Sequence, residues 1–376
     1  MKKNLGLVEG ERQTTLAWAT EYEFAPPKKV IPVDDTFKAD TFLALASQDE
    51  GFLWQGDFHN AKQLLQAVQR RMEKRAKPLP DTLPPAERFH RHRQAQGHKA
   101  RTLSRLFVPV SADLSIPLGR APEVREAIAE LAEGVVGDFV VSLRELLGLI
   151  GANEWRKKGV RIAALDGVIH PRYGVYSPVR GEYLDLVAQA PLPETAEVAF
   201  DIGTGTGVIA AILAKRGVPR ILATDLDPRA IACARENIER LGFAASVEIV
   251  QTSFFPEGKA DLVVCNPPWL PVKPTTAIER ALYDEASGML KGFLNGVAAH
   301  LNPGGEAWLI LSDLAEHLGL RPQGELETLI ASAGLEVAGL HETRPRHGKA
   351  TDEDDPLFAA RSKEVTRLWR LRPISR

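Results

Sequence analysis

The sequence predicts an α/β protein: a mainly helical N-terminal domain, a β-hairpin linker, and a C-terminal domain on a seven-stranded sheet whose last strand runs antiparallel. Three observations carry that prediction. From about residue 182, short β-rich apolar runs alternate with helical runs, the pattern of a parallel sheet covered by helices. Over residues 41–155, apolar residues recur instead at helical spacing. Between them, VRIAALDGVIHPRYGVYSP places Asp166-Gly167 between two β-rich stretches, a tight-turn hairpin signal. The expected divisions are residues 1–155, 156–181 and 182–376, consistent with two domains in 376 residues.

A chain that is 44% hydrophobic and 26% charged is neither collagen-like, coiled-coil nor wholly disordered. Cys233 and Cys265 cannot make a disulfide framework or a four-cysteine zinc site. The histidines show no ligand spacing beyond His90-x-His92, so no metal is expected. The opening MKKNLGLVEGERQTT has no apolar h-region, and no run of 18 apolar residues follows. A soluble, cytoplasmic protein with no membrane partner is expected.

The net charge of −2 conceals a polar arrangement. Residues 1–59 hold 6 Lys/Arg against 10 Asp/Glu, and residues 60–110 hold 12 against 3, leaving −7 for residues 111–376. Residues 1–40, with Pro26, Pro27 and Pro32, read as an irregular arm. From Asn60 to Lys77, Leu64, Leu65, Val68 and Met72 recur at helical spacing, with Arg70, Arg71, Lys74 and Arg75 between them. Prolines 78, 80, 84 and 85 then precede the basic run RFHRHRQAQGHKARTLSRLF. This block reads either as a solvated face or as a phosphate-tracking surface, with Arg70, Arg71 and Lys74 as candidate substrate contacts. Further helices are expected at 122–133, with Pro122 in the first turn, and at 142–158, interrupted near Gly151.

In the C-terminal domain the expected strands are Val198–Asp201, Ile221–Asp225, Val247–Val250, Leu262–Cys265, Ala307–Leu311, Leu335–Leu340 and Val365–Leu371. Asp227 can cap a helix that has Pro228 in its first turn and Gly242 past its end. A polar loop, not a helix, joins the last two strands, so they should pair antiparallel. Gly288, Gly292 and Gly296 recur every four residues on a helix and read as a close-packing face, or as part of a cleft lining.

Asp201-Ile-Gly203-Thr204-Gly205-Thr-Gly207 follows a strand and opens a helix. Glycines are needed where the backbone turns sharply and a ligand must approach it closely. Val208 stands where a dinucleotide fingerprint wants its third glycine, which disfavours an NAD oxidoreductase. Asp225, with Leu226 beside it, ends the second strand, where a carboxylate can accept both ribose hydroxyls of an adenosine. Over residues 170–376 the sequence resembles class I S-adenosylmethionine-dependent methyltransferases, whose Rossmann-like sheet this would be. The resemblance implies S-adenosyl-L-methionine as cofactor, held by Asp201, Gly203, Thr204, Gly205, Gly207 and Asp225. In that family an acidic residue usually follows the third strand and binds the adenine amino group. Gln251-Thr-Ser253-Phe departs from this, so Ser253 would have to substitute.

Asn266-Pro267-Pro268-Trp269 follows the fourth strand, at the carboxyl edge where open α/β sheets bind ligands. Two prolines hold the chain extended and leave carbonyl oxygens free to face a cleft. A conjugated amino group is a poor nucleophile because its lone pair is delocalised. Hydrogen bonds from it to the Asn266 side-chain oxygen and the Pro267 carbonyl would favour a pyramidal nitrogen and stabilise its growing charge. Pro268 and Trp269 are substrate-side candidates, the indole as a flat stacking face. The motif resembles the (N/D)PP(Y/F/W) signature of methyltransferases acting on base amino groups or on a glutamine amide of release factors. GVYSPVRGEYLDLV resembles the segment that closes over the cofactor in those enzymes, implicating Tyr176, Pro178 and Arg180. A helical region joined by a hairpin is also the layout of release-factor glutamine methyltransferases.

The expected function is N-methylation of a planar amino group, on ribosomal or transfer RNA because of the basic block. Protein glutamine methylation is the alternative. A catalytically silent cofactor fold that binds RNA or a protein partner would have no need of Asn266, Pro267 and Trp269.

Overall fold

The structure, a computed structural model, describes residues 2–10, 12–80, 82–176, 181–274, 278–346 and 351–374. The chain forms two compact units. The first comprises Met1–Leu83 with His90–Glu154, and the second Pro84–Phe89 with Trp155–Arg376.

The first unit corrects the expectation of a mainly helical domain, because its centre is a closed barrel of six strands. Strands β1 (Lys2–Glu9), β2 (Arg12–Ala19), β3 (Lys29–Val33), β4 (Glu50–Trp54), β5 (Leu106–Val110) and β6 (Phe139–Ser142) close in the order β1-β2-β6-β5-β4-β3. The arm read as irregular holds the β1–β2 hairpin, turned at Gly10 with φ 59°. Leu5, Leu7, Trp18, Val30, Leu53, Phe107 and Val140 fill the interior, and Trp18 meets Phe107 edge-on at 5.3 Å. Helices α1 (Ala39–Ala46), α2 (Phe58–Arg75), α3 (Pro85–Leu103), α4 (Arg125–Ala132) and α5 (Leu143–Lys158) intervene. Helix α2 starts from the Asp57 cap and buries Leu64, Leu65 and Val68. Helix α4 begins after Pro122, and α5 runs unbroken through Gly151. Glu145 of α5 is fully buried, and its carboxylate accepts from Thr20 Oγ1 at 2.7 Å and from the Glu21 amide at 2.6 Å.

In the second unit, β7 (Val160–Ile162) and β8 (Gly167–Ile169) form the hairpin. Its turn is not the two-residue type expected, but a 3-10 turn at Ala163–Leu165 closed by Asp166 in the left-handed region. After α6 (Glu182–Gln189) come β9 (Val198–Ile202), α7 (Val208–Lys215), β10 (Arg220–Asp225), α8 (Pro228–Arg240), β11 (Val247–Gln251), β12 (Ala260–Cys265) and α9 (Gly288–Val297). Then follow β13 (Leu301–Ser312), α10 (Leu314–His317), α11 (Glu325–Ser332), β14 (Leu335–Thr343), α12 (Phe358–Arg361) and β15 (Thr366–Pro373). The sheet order is β11-β10-β9-β12-β13-β15-β14, and β15 is antiparallel to both its neighbours.

Strand periodicity divides the core into two layers. Ala199, Leu262, Val264, Trp308 and Ile310 face α6 and α7, whereas Phe200, Val263, Cys265, Leu309 and Leu311 face α9 and α11. Asp227 caps α8 by accepting from the Arg229 amide at 2.8 Å, with Pro228 at the helix start and Gly242 at φ 79° past its end. On β13, fully buried Glu306 accepts from Arg370 at 2.7 and 2.8 Å, from Arg372 at 2.6 Å and from the Trp308 indole at 3.1 Å. Burial works to raise its pKa, but these donors outweigh burial and hold it below the usual carboxylate range. No helix among the described residues is long and apolar enough to cross a membrane.

Candidate active site

At the carboxyl ends of β9, β10 and β12 lies a cleft of about 670 Å³, built entirely from the second unit. The glycine loop forms one wall. Gly203, Gly205 and Gly207 sit at φ 73°, 56° and 80°, conformations that side chains resist. Gly207 also lets the loop approach α8, since a Cβ there would stand 3.3 Å from Ala234. Asp201 anchors the loop from beneath: its Oδ2 accepts from Thr204 Oγ1 at 2.7 Å and from the Ala210 amide at 3.1 Å. Burial pushes its carboxyl up to about 7 against those hydrogen bonds, and its buried Oδ1 has no partner among the described residues.

Asp225 closes the loop from the other side. Its two oxygens accept from the Gly205 and Asp227 amides, each at 3.0 Å, and burial raises its pKa. Each carboxylate oxygen keeps a second acceptor site, so a pair of neighbouring hydroxyls can still be held there. Leu226 lines the cleft with 68% of its surface exposed, an apolar plate beside the acid. Ser253, where the usual acid is replaced, lines the same region, and Tyr176 does too. Pro178 and Arg180 lie outside the described residues. An acid with acceptor sites to spare and an exposed apolar plate beside it suit an adenosine cofactor.

The glycines of α9 do pack closely. A Cβ on Gly292 would stand 2.4 Å from Phe254, and one on Gly296 would stand 2.5 Å from Phe255. Phe254 itself adopts φ 66° and accepts from Thr224 Oγ1 at 2.7 Å through its carbonyl. Gly292→Ala should therefore displace the Ser253–Phe254 segment. We expect a stability loss of about 1–3 kcal/mol in thermal melts and roughly tenfold weaker cofactor binding by calorimetry.

The Asn-Pro-Pro-Trp turn forms the facing wall. Trp269 Nε1 donates to Asn266 Oδ1 at 2.9 Å, and the indole stands edge-to-face with Tyr183 at 6.4 Å and 84°. Tyr183, from α6, is 3% exposed, and burial raises its pKa. The expected open stacking face is thus qualified: the indole packs against both core layers, and its N–H is engaged within the turn. Pro267 and Pro268 line the cleft beside it.

Sequence reasoning missed Tyr183, whose role arises only when α6 meets the turn. It also missed Arg361, Glu364 and Thr366, which line the cleft from the segment before and at β15. Glu364 is buried and accepts from Ser312 Oγ at 2.6 Å. Arg70, Arg71 and Lys74 lie on α2 in the first unit and are not part of this cleft. Arg71 and Arg75 both pair with Asp40, at 3.2 and 3.1 Å.

Residues 174–330 match the family described as the methyltransferase small domain. A release factor glutamine methyltransferase of Cereibacter sphaeroides is 33% identical over 162 residues, covering 39% of this chain and 55% of the relative. A ribosomal protein L11 methyltransferase of Pelotomaculum thermopropionicum is 46% identical over 69 residues, covering 18% and 22%. A tRNA1(Val) (adenine(37)-N6)-methyltransferase of Parabacteroides distasonis is 41% identical over 81 residues, covering 20% and 34%. The chain thus spans no more than 55% of the length of these relatives. The segment that matches the methyltransferase small domain, 174–330, holds both the glycine loop and the Asn-Pro-Pro-Trp turn.

Proposed function

We propose that the chain is an S-adenosylmethionine-dependent N-methyltransferase whose acceptor is a planar amino group on ribosomal or transfer RNA. The observation that carries this reading is that Asn266 and Pro267 face the same cleft as the glycine loop and Asp225. The cofactor supplies a methyl on a sulfonium, so the protein needs no nucleophile of its own and contributes chiefly by positioning. Asp225 would accept the ribose hydroxyls and Leu226 would underlie the base. The Asn266 oxygen and the Pro267 carbonyl accept the two N–H bonds of the acceptor amine, turning its lone pair toward the methyl and stabilising the positive charge that grows there. Pro268, with no N–H of its own, keeps the turn extended.

The cationic cofactor should favour the ionised form of Asp201. Its carboxyl, raised to about 7 by burial, is largely protonated at pH 6 and ionised at pH 8. Cofactor affinity is therefore expected to climb from pH 6 to pH 8 and level off above. Calorimetry in buffers of different ionisation heat should register proton release on binding near pH 6.5, and Asp201→Asn should abolish it. A flat affinity profile for the parent chain overturns this assignment.

RNA is favoured over protein by the basic tract on α2 and α3 and by the barrel. The likeness in layout to release-factor enzymes rested on a helical N-terminal domain, and the six strands remove half of it. The second reading, methylation of a protein glutamine, draws on the relative of that name. Incubation with radiolabelled S-adenosylmethionine and a lysate lacking the protein, followed by ribonuclease or protease digestion, decides between them. Label that survives ribonuclease and falls to protease overturns the RNA assignment. Replacing Arg70, Arg71, Lys74 and Arg75 with glutamine should weaken RNA binding and flatten its log–log salt slope by about 0.7 for each phosphate no longer neutralised. Asp40 already shares two of these cations, so the slope should fall by less than four free cations would give.

A further inference from the structure

Asn266 does not stand alone at the rim of its strand. The indole N–H of Trp269 can only donate, so the carboxamide atom it meets must be the oxygen, and at 2.9 Å that contact fixes which end of the amide faces which way. Tyr183, buried on α6, holds the indole edge-to-face from the other side, so the ring that carries the N–H is itself braced. An asparagine side chain left to itself rotates about two bonds and presents oxygen or nitrogen with similar ease. The amine-orienting chemistry needs the oxygen.

We propose that the Trp269 indole N–H, braced by the Tyr183 ring, is a positioning group that locks the Asn266 carboxamide in the orientation that accepts the substrate amine. This rests on the methyltransferase reading given above. Trp269 then has a task that phenylalanine in its place could not perform, since phenylalanine keeps a ring but has no donor. An asparagine oxygen has two acceptor sites, so the indole leaves one for the acceptor amine.

The test compares Trp269→Phe and Asn266→Ala with the parent chain. The labelled-methyl assay uses the acceptor fraction from the lysate, cofactor binding is measured by calorimetry, and indole ¹H–¹⁵N resonances are recorded, the Trp269 signal being assigned by its loss in Trp269→Phe. The expected result is that Trp269→Phe loses roughly tenfold in kcat with KM and cofactor Kd within about twofold of the parent, the loss of one hydrogen bond realised at the transition state. The Trp269 indole resonance should move upfield in Asn266→Ala. Full-rate transfer by Trp269→Phe beside an inactive Asn266→Ala overturns the lock alone. An indole resonance unmoved by Asn266→Ala also overturns it, with no reference to activity. Full-rate transfer by Asn266→Ala overturns the reading of the site itself, and the lock with it.

Discussion

Asn266→Ala is expected to bind S-adenosylmethionine as tightly as the parent chain and to transfer its methyl about 10²–10³-fold more slowly. The separation between the two readouts follows from where the residue sits. In the proposed site the cofactor's ribose and base contacts would fall to Asp225, Leu226 and the glycine loop, none of them part of the Asn-Pro-Pro-Trp turn. Deleting the carboxamide leaves those residues in place. It removes an acceptor that matters most once positive charge builds on the substrate nitrogen, so kcat should fall much more than KM rises. It also leaves the Trp269 N–H without its partner, which costs about 1–3 kcal/mol of local stability if water does not replace the oxygen. A variant that melts within a few degrees of the parent, binds cofactor and fails to transfer would match expectation. One that transfers at the parent rate would remove Asn266 from the mechanism.

Asp225→Ala should do the reverse, with cofactor affinity falling about 100-fold or more by calorimetry. The carboxylate does two things at once. It accepts the Gly205 and Asp227 amides, which ties the glycine loop to the start of α8, and in the proposed site it would also accept the ribose hydroxyls. Asp225→Asn separates these functions, because one amide oxygen can keep one backbone contact while the NH₂ opposes the other. It should therefore bind more weakly than the parent and more tightly than alanine. Unchanged affinity in either variant would take Asp225 out of the cofactor site.

The second unit was far more legible in the sequence than the first, and the reason lies in how each buries its strands. In the sheet, each strand run is bounded by a recognisable breaker or cap, such as Gly203 after β9 or Asp227-Pro228 after β10. In the barrel, β4, β5 and β6 are four or five residues long and almost wholly buried, so their apolar runs lack the alternation that marks a half-exposed strand. They also abut helices directly, as Ser142 abuts Leu143, and merge with them into one apparent helical stretch. β1 does alternate, with Leu5 and Leu7 inward, but nearby prolines 26, 27 and 32 drew the whole arm into an irregular reading. Within the site, the loop and the turn were legible because their chemistry is local in sequence. Tyr183, Arg361 and Glu364 were not, because each acquires its place only when its element packs beside the turn or the sheet.

The sheet order has a consequence for anyone who would excise the domain. Residues 174–330 carry the glycine loop and the Asn-Pro-Pro-Trp turn, yet they end before β14 and β15. Because β15 lies directly against β13, a fragment stopping at 330 would strip a buried strand of its neighbour and leave Glu306 without Arg370 and Arg372. A raw apolar edge and an abandoned interior charge both invite aggregation. The stretch of sequence that recurs across proteins is therefore not the stretch that folds. The unit of inheritance here is shorter than the unit of stability, and within the seven-stranded sheet the difference is two strands.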